Sequence, residues 1–254
     1  MTKDELFNIL QKETSSNEDY IIKLLKFRGF LIDRTPDGFV LSDNSHAADG
    51  RYLEDLLMKY GLGFIDESKI HINNNDPRDF IENEFKENIR IGCESCGLNI
   101  KWRYFKRREH GKKVPVDMLE PYIARYVKAI SACCVLTFGC CDGNHPGKKQ
   151  MSIMLDGKCS LPWHRIICQK CLESRFNIDW IKDYTIIRLE ENTRYDTYYE
   201  VNKAAEFLYE RRFALRQIKH DAMRDMTRSY LNNTSPDIIE NEFINRVSAL
   251  LDSV

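Results

Sequence analysis

Four cysteines come as two pairs, each with two residues between its members: Cys93-Glu94-Ser95-Cys96 and Cys168-Gln169-Lys170-Cys171. That spacing sets two thiolates on one tight turn, and Gly97 lets the chain close behind Cys96. Two such pairs supply the four soft ligands of a closed tetrahedral zinc site. Cys93, Cys96, Cys168 and Cys171 are therefore expected to hold one structural Zn; the plainer reading is buried thiols in a reducing compartment. About seventy residues separate the pairs, which loop-closure entropy tolerates because it grows only logarithmically with length. All nine cysteines and three of the six histidines lie within residues 93–171.

A second group occupies nine residues, Gly139-Cys140-Cys141-Asp142-Gly143-Asn144-His145-Pro146-Gly147. Here a thiolate, a carboxylate and an imidazole fall on one glycine-rich turn, so His145, Asp142 and Cys141 are the catalytic candidates. Cys141 and His145, joined by Cys159 or His164, would make the three-ligand set of an open zinc site. Alternatively, a thiol could be a nucleophile with His145 as its base. Against both stands turn chemistry, since Asp-Gly and Asn-His-Pro-Gly are ordinary turn formers and cysteine is an ordinary small core residue.

A third group follows the first knuckle. Residues 101–113 read Lys-Trp-Arg-Tyr-Phe-Lys-Arg-Arg-Glu-His-Gly-Lys-Lys, seven basic and three aromatic. Cations neutralise phosphates while aromatic faces stack on unpaired bases. Lys101, Trp102, Arg103, Arg107 and Arg108 are thus the expected nucleic-acid contacts. The competing reading is a solvated edge strand, charged against aggregation.

Two resemblances rest on these residues. The segments 91–97 and 166–171 resemble the halves of a zinc ribbon, which implies metal binding. The paired cysteines around a His-bearing hairpin also resemble HNH endonucleases. That likeness implies that the four cysteines hold a structural zinc, that His145 activates water, and that Asn144 and His164 orient or bind a catalytic magnesium.

The elements that must position these groups are mixed. Apolar periodicity predicts a helix around Leu6, Phe7, Ile9 and Leu10, a second from the Ser15-Ser16-Asn17 caps to Gly29, and a third from Arg51 through Tyr60, stopped by Gly61 and Gly63. Residues 30–41 read strand, Asp-Gly turn, strand. Two helices and a hairpin resemble a winged helix, but the second helix is not basic and core packing explains it better. Further helices are expected at 77–85 and 117–130, strands at 133–138, 150–155, 176–180 and 184–189, a long helix at 199–231 and a last amphipathic one at 236–250. No internal repeat is evident. The reading divides the chain into a helical and hairpin region (1–76), a zinc-binding α+β core (77–190) and a helical region (191–254).

The fold class is accordingly α+β: a small central antiparallel sheet with a zinc-pinned insertion, flanked by N- and C-terminal helices. A formal charge of −1 gives no global attraction to nucleic acid or anionic lipid, so such binding needs a local patch. No apolar run approaches the length of a membrane span, and no secretory leader is read at the N-terminus. The expectation is a cytoplasmic, zinc-stabilised binding protein for nucleic acid, through residues 101–113, or for a protein partner. A metal-dependent nuclease or hydrolase centred on His145 is the alternative. A homo-oligomer joined through the C-terminal helices is the third reading.

Overall fold

The computed structural model describes residues 1–86, 114–135, 137–144, 151–155, 177–181, 184–188 and 194–220, with isolated positions at 167, 245 and 249. The four paired cysteines, residues 101–113, His145, Cys159, His164 and the helix read at 236–250 lie outside them. The α+β class holds, with the strands divided between two four-stranded antiparallel sheets.

The first sheet is built locally. α1 (Lys3–Lys12) starts on a capping box, Thr2 accepting from the Glu5 amide while the Glu5 carboxylate accepts from the Thr2 amide. α2 (Asn17–Arg28), capped by Ser16, is followed by β1 (Ile32–Thr35) and β2 (Gly38–Leu41). α3 (Asp49–Lys59) is followed by β3 (Gly63–Asp66) and β4 (Lys69–Ile72).

These last two sets are the same unit twice, a repeat the sequence reading did not detect. In each, a residue with positive φ, Gly29 or Gly61, ends the helix, and the next amide returns to a helical carbonyl: Phe30 N to Leu25 O, 3.1 Å, and Leu62 N to Leu57 O, 2.8 Å. Each hairpin then pairs in the same register across a two-residue turn, Ile32 opposite Leu41 through Thr35 opposite Gly38, and Gly63 opposite Ile72 through Asp66 opposite Lys69. The strand order is β1-β2-β4-β3. Phe39 faces Ile70 at the central pair, and these are equivalent positions of the two units, so a local two-fold passes between β2 and β4. The first hairpin is therefore half of a symmetric sheet and not a wing.

α4 (Arg78–Glu84) follows, and after residue 113 the chain is described again from Val114 through a short 3-10 turn, Val116–Met118, into α5 (Pro121–Ala132). Every residue of α5 except Ser131 is buried, which marks it as the central helix. It packs against α2 on one side and on the other against α6 (Arg194–Glu210), whose helical path resumes over 212–220. Gly29 is required there: a Cβ on it would stand 2.7 Å from Ala124 Cβ. Arg125 donates to Phe30 O (3.0 Å) and lies over the Tyr209 ring.

The second sheet holds β5 (Thr137–Cys141), β6 (Met151–Leu155), β7 (Asn177–Ile181) and β8 (Tyr184–Arg188), in the order β5-β6-β8-β7. The strand read at 133–138 starts later. α5 runs to Ala132, Cys134 adopts φ 65, and Val135 N returns to Ile130 O at 2.9 Å. That is the helix stop used at Gly29 and Gly61, here made by a cysteine. One continuous apolar cluster joins α1, α2, α3, α5, α6 and the start of the second sheet, from Leu6 and Leu25 through Ile123 and Val127 to Ile153 and Leu208.

Candidate functional site at one end of the second sheet

The strand register fixes which chain ends meet. Cys141, at the end of β5, is opposite Ser152 near the start of β6; Met151 is opposite Ile187 near the end of β8; Asn177, the start of β7, is opposite Arg188. The same end of the sheet therefore receives the turn after Cys141, the entry to β6, the exit of β8 and the entry to β7.

The turn itself is held from four directions. Gly143 takes φ 76, which glycine adopts without steric cost. The Asn144 amide donates to Asp142 Oδ1 (2.8 Å), and the Gly143 amide to Cys141 Sγ (3.3 Å). Glu120, immediately before Pro121 at the start of α5, accepts from the Asp142 amide (2.6 Å). From α6, Tyr198 donates to Asp142 O (3.2 Å) and Arg194 to Asn144 Oδ1 (2.9 Å). Asn144 Nδ2 in turn donates to Lys86 O (3.3 Å), where the chain leaves α4. The Tyr198 ring stacks on Tyr122 at 4.1 Å, and the Tyr122 hydroxyl donates to Phe85 O (3.1 Å).

The sequence candidates Cys141 and Asp142 thus come together, and both are buried, at 1% and 2% exposure. Asn144 is buried beside them. Sequence reasoning missed Glu120, fully buried, whose side chain bonds with those of Asp142 and Cys141. Burial, and then the neighbouring Asp142 carboxylate, push Glu120 up to about 8, because two like charges in a dry site cannot both ionise cheaply. Burial also drives the Tyr198 phenol well above its ordinary range. The available signal was Glu120-Pro121 at a helix start, where a carboxylate is free to reach another element instead of capping its own helix. Among the described residues no group of three His, Cys, Asp or Glu side chains is arranged to hold a metal. Chemically, burial beside a second carboxyl favours the protonated form of Glu120, while the amide and carbonyl contacts of the turn serve the fold.

The segment 87–113, which carries Cys93, Cys96 and the basic stretch, is flanked by polar anchors that are half-buried at the exit and buried at the return. At the exit, Glu84 accepts from the hydroxyls of Tyr52 (3.2 Å) and Tyr60 (2.7 Å). At the return, Lys128 donates to Val114 O and to Asp49 Oδ2, both at 2.5 Å, and the Val116 amide donates to Asp49 Oδ1 (2.9 Å). Arg28 joins the two limbs, donating to Val116 O, Leu119 O and the Tyr52 hydroxyl. Compared with family models, with curated proteins and with solved structures, the chain finds no match in any of the three.

Proposed function

We propose that the protein is a zinc-stabilised binding module, with Zn held by Cys93, Cys96, Cys168 and Cys171 and nucleic acid taken by the basic, aromatic residues Lys101, Trp102, Arg103, Arg107 and Arg108. The observation that carries this reading is the convergence of anchors at one end of the second sheet. Lys86, seven residues before Cys93, is bonded to Asn144 there, and Asn177, six residues after Cys171, enters β7 there. Three inter-strand spacings separate β5 from β7, about 14 Å. Six or seven extended residues span about 20–25 Å, so both knuckles can reach one point beside this sheet end. Zinc would then join the excursion to the sheet and present residues 101–113 from a fixed base.

The described part of this turn, residues 142–144, serves this reading as a strut. Cys141 and Asp142 are buried and engaged with Glu120, which argues against their use as open catalytic groups. A reducing, cytoplasmic setting fits the buried, reduced Cys133, Cys134, Cys140 and Cys141. No helix among the described residues is long and apolar enough to cross a membrane.

Mass-spectrometric metal analysis tests the proposal. One zinc per chain is expected, lost in Cys93→Ser and in Cys171→Ser alike. Wild-type protein should bind single-stranded nucleic acid at low salt, and Arg107→Ala/Arg108→Ala should weaken binding and flatten its salt dependence. Zinc without any nucleic-acid binding would redirect the reading to a protein partner. Metal-dependent hydrolysis that disappears in His145→Ala would replace it with the nuclease.

A further inference from the structure

We infer that Asp37-Gly38, at the tip of the first hairpin, is a site of spontaneous isoaspartate formation and hence a substrate for enzymes that methylate isoaspartyl carboxylates. Glycine after aspartate favours this chemistry, because without a Cβ its amide can approach the aspartate side chain. The Gly38 nitrogen attacks Asp37 Cγ and forms a C–N bond. A carboxyl oxygen leaves as water, carrying the amide proton, and a five-membered succinimide closes. Water then reopens the ring at either carbonyl. Cleavage of the Cγ–N bond restores aspartate, whereas cleavage at the main-chain carbonyl leaves the chain running through Cγ with the α-carboxylate free. The water released is the water regained, and nothing is oxidised or reduced.

The sequence holds four Asp-Gly pairs, beginning at Asp37, Asp49, Asp142 and Asp156, and the last lies outside the described residues. The fold distinguishes the other three. Asp49 is fully buried; its Oδ1 accepts from the Val116 amide, and its Oδ2 from the His46 amide and Lys128. Asp142 is buried, its Oδ1 accepts from the Asn144 amide, and the Gly143 amide that would attack it donates to Cys141 Sγ. Neither carboxyl can swing onto the following amide without breaking these bonds. Asp37 differs in each respect. Its side chain is 77% exposed, and its ion-pair partner Lys69 stands 3.9 Å away and is itself exposed. Among the described residues nothing lies within 4 Å of the place a Cβ would take on Gly38, so that flank of the peptide is open.

Attack requires the last pair of the hairpin to open. Gly38 is opposite Thr35, whose hydroxyl donates to Gly38 O (3.2 Å). A terminal pair opens cheaply, because the strands behind it are held independently. Asp33 accepts from Tyr209 and Arg212 of the C-terminal helical region, and Phe39 is buried in the core. The same anchors confine the damage. Isoaspartate adds a main-chain carbon before Gly38, which lengthens the turn and removes the Thr35–Gly38 pairing but leaves the hairpin behind it in register. The product is a folded chain with a free α-carboxylate at an exposed tip, where a carboxyl methyltransferase can reach it.

The test ages the full chain at neutral pH and physiological temperature. Isoaspartate is counted by methyl transfer from S-adenosylmethionine with an isoaspartyl methyltransferase, and each residue is located by electron-transfer fragmentation of its peptide. Isoaspartate should form at Asp37 about ten-fold or more faster than at Asp49 or Asp142, since a hairpin tip opens more cheaply than buried anchors. In guanidinium chloride the three positions should age alike, because only the fold separates them. Asp37→Glu should remove the signal at the tip, its extra methylene disfavouring ring closure, and should leave thermal melting unchanged. Absence of isoaspartate at Asp37 in the aged native chain, or native rates no faster there than at Asp49 and Asp142, would overturn the proposal. An aged chain that no longer melts cooperatively would overturn it too, because the change would then reach beyond the tip.

Discussion

The two sheets solve the same problem by opposite means. The first has four strands within residues 32–72, joined by two-residue turns and by one helix, so its register is set by neighbours in sequence. The second spreads its strands over 137–188, with longer connections before β6 and β7, and its end is fixed by the side chains of Glu120, Arg194 and Tyr198 and by the Lys86 carbonyl. Local chemistry suffices where the chain turns back at once. Where it travels, buried polar groups must specify where it returns, and they have value only as complete sets.

The largest expected effect attacks the non-local side of that contrast. Lys128→Met leaves Asp49 buried without its cation and should cost about 3–5 kcal/mol in urea unfolding. The double variant Asp49→Asn/Lys128→Met should recover part of this, because it removes the uncompensated charge and the single asparagine oxygen can still accept from one of the two amides, His46 or Val116. Next, on the local side, Gly63→Ala should cost about 3 kcal/mol, since its φ is 156 and a Cβ would fall 1.9 Å from His71 O. Its damage should be confined to the first sheet, a distinction that hydrogen exchange can read.

A smaller effect tests the carboxyl clasp. The folded-state pKa of Glu120 lies above the ordinary carboxyl value of 4.5, so the native protein keeps a proton that the unfolded chain has released. Stability should therefore fall as pH rises from 4.5 to about 8 and level off beyond it. Glu120→Gln should flatten that slope, a change on the order of 2 kcal/mol. The smallest effect belongs to Lys69→Ala. Its exposed partner Asp37 lies 3.9 Å away, and the melting temperature should scarcely move.

What was legible in the sequence follows the same division. The helix stop at Gly29, the hairpin around Asp37-Gly38 and the strands at 151–155 and 184–188 all carry local signals: a residue suited to positive φ, a turn pair, alternation. The duplication was hidden because its copies differ where they matter, Asp33 against Phe64 and Val40 against His71. The offset also changes from thirty-two in the helices to thirty-one in the strands, which blurs any fixed period. Cys133-Cys134-Val135 was read as strand by composition, whereas those residues close α5, with Cys134 in the left-handed conformation that glycine fills in the other two cases. Arg28, Asp49 and Lys128 gave no signal as core residues, and Glu120 only its place before Pro121. Only a completed fold brings their partners, tens of residues away, within bonding distance.

The clamp around Arg28 has a consequence for engineering. One buried guanidinium touches both limbs of the excursion, through Tyr52 toward Glu84 and directly at Val116 O and Leu119 O. The scaffold therefore holds a socket whose two contacts are fixed whatever is plugged between them. Residues 98–113, beyond the proposed zinc ligands Cys93 and Cys96, could be replaced by a short linker or by a foreign recognition loop. The cost would be the slow logarithmic growth of closure entropy, about 0.6 kcal/mol for each doubling of length. A chain built this way can change what it carries without renegotiating how it folds.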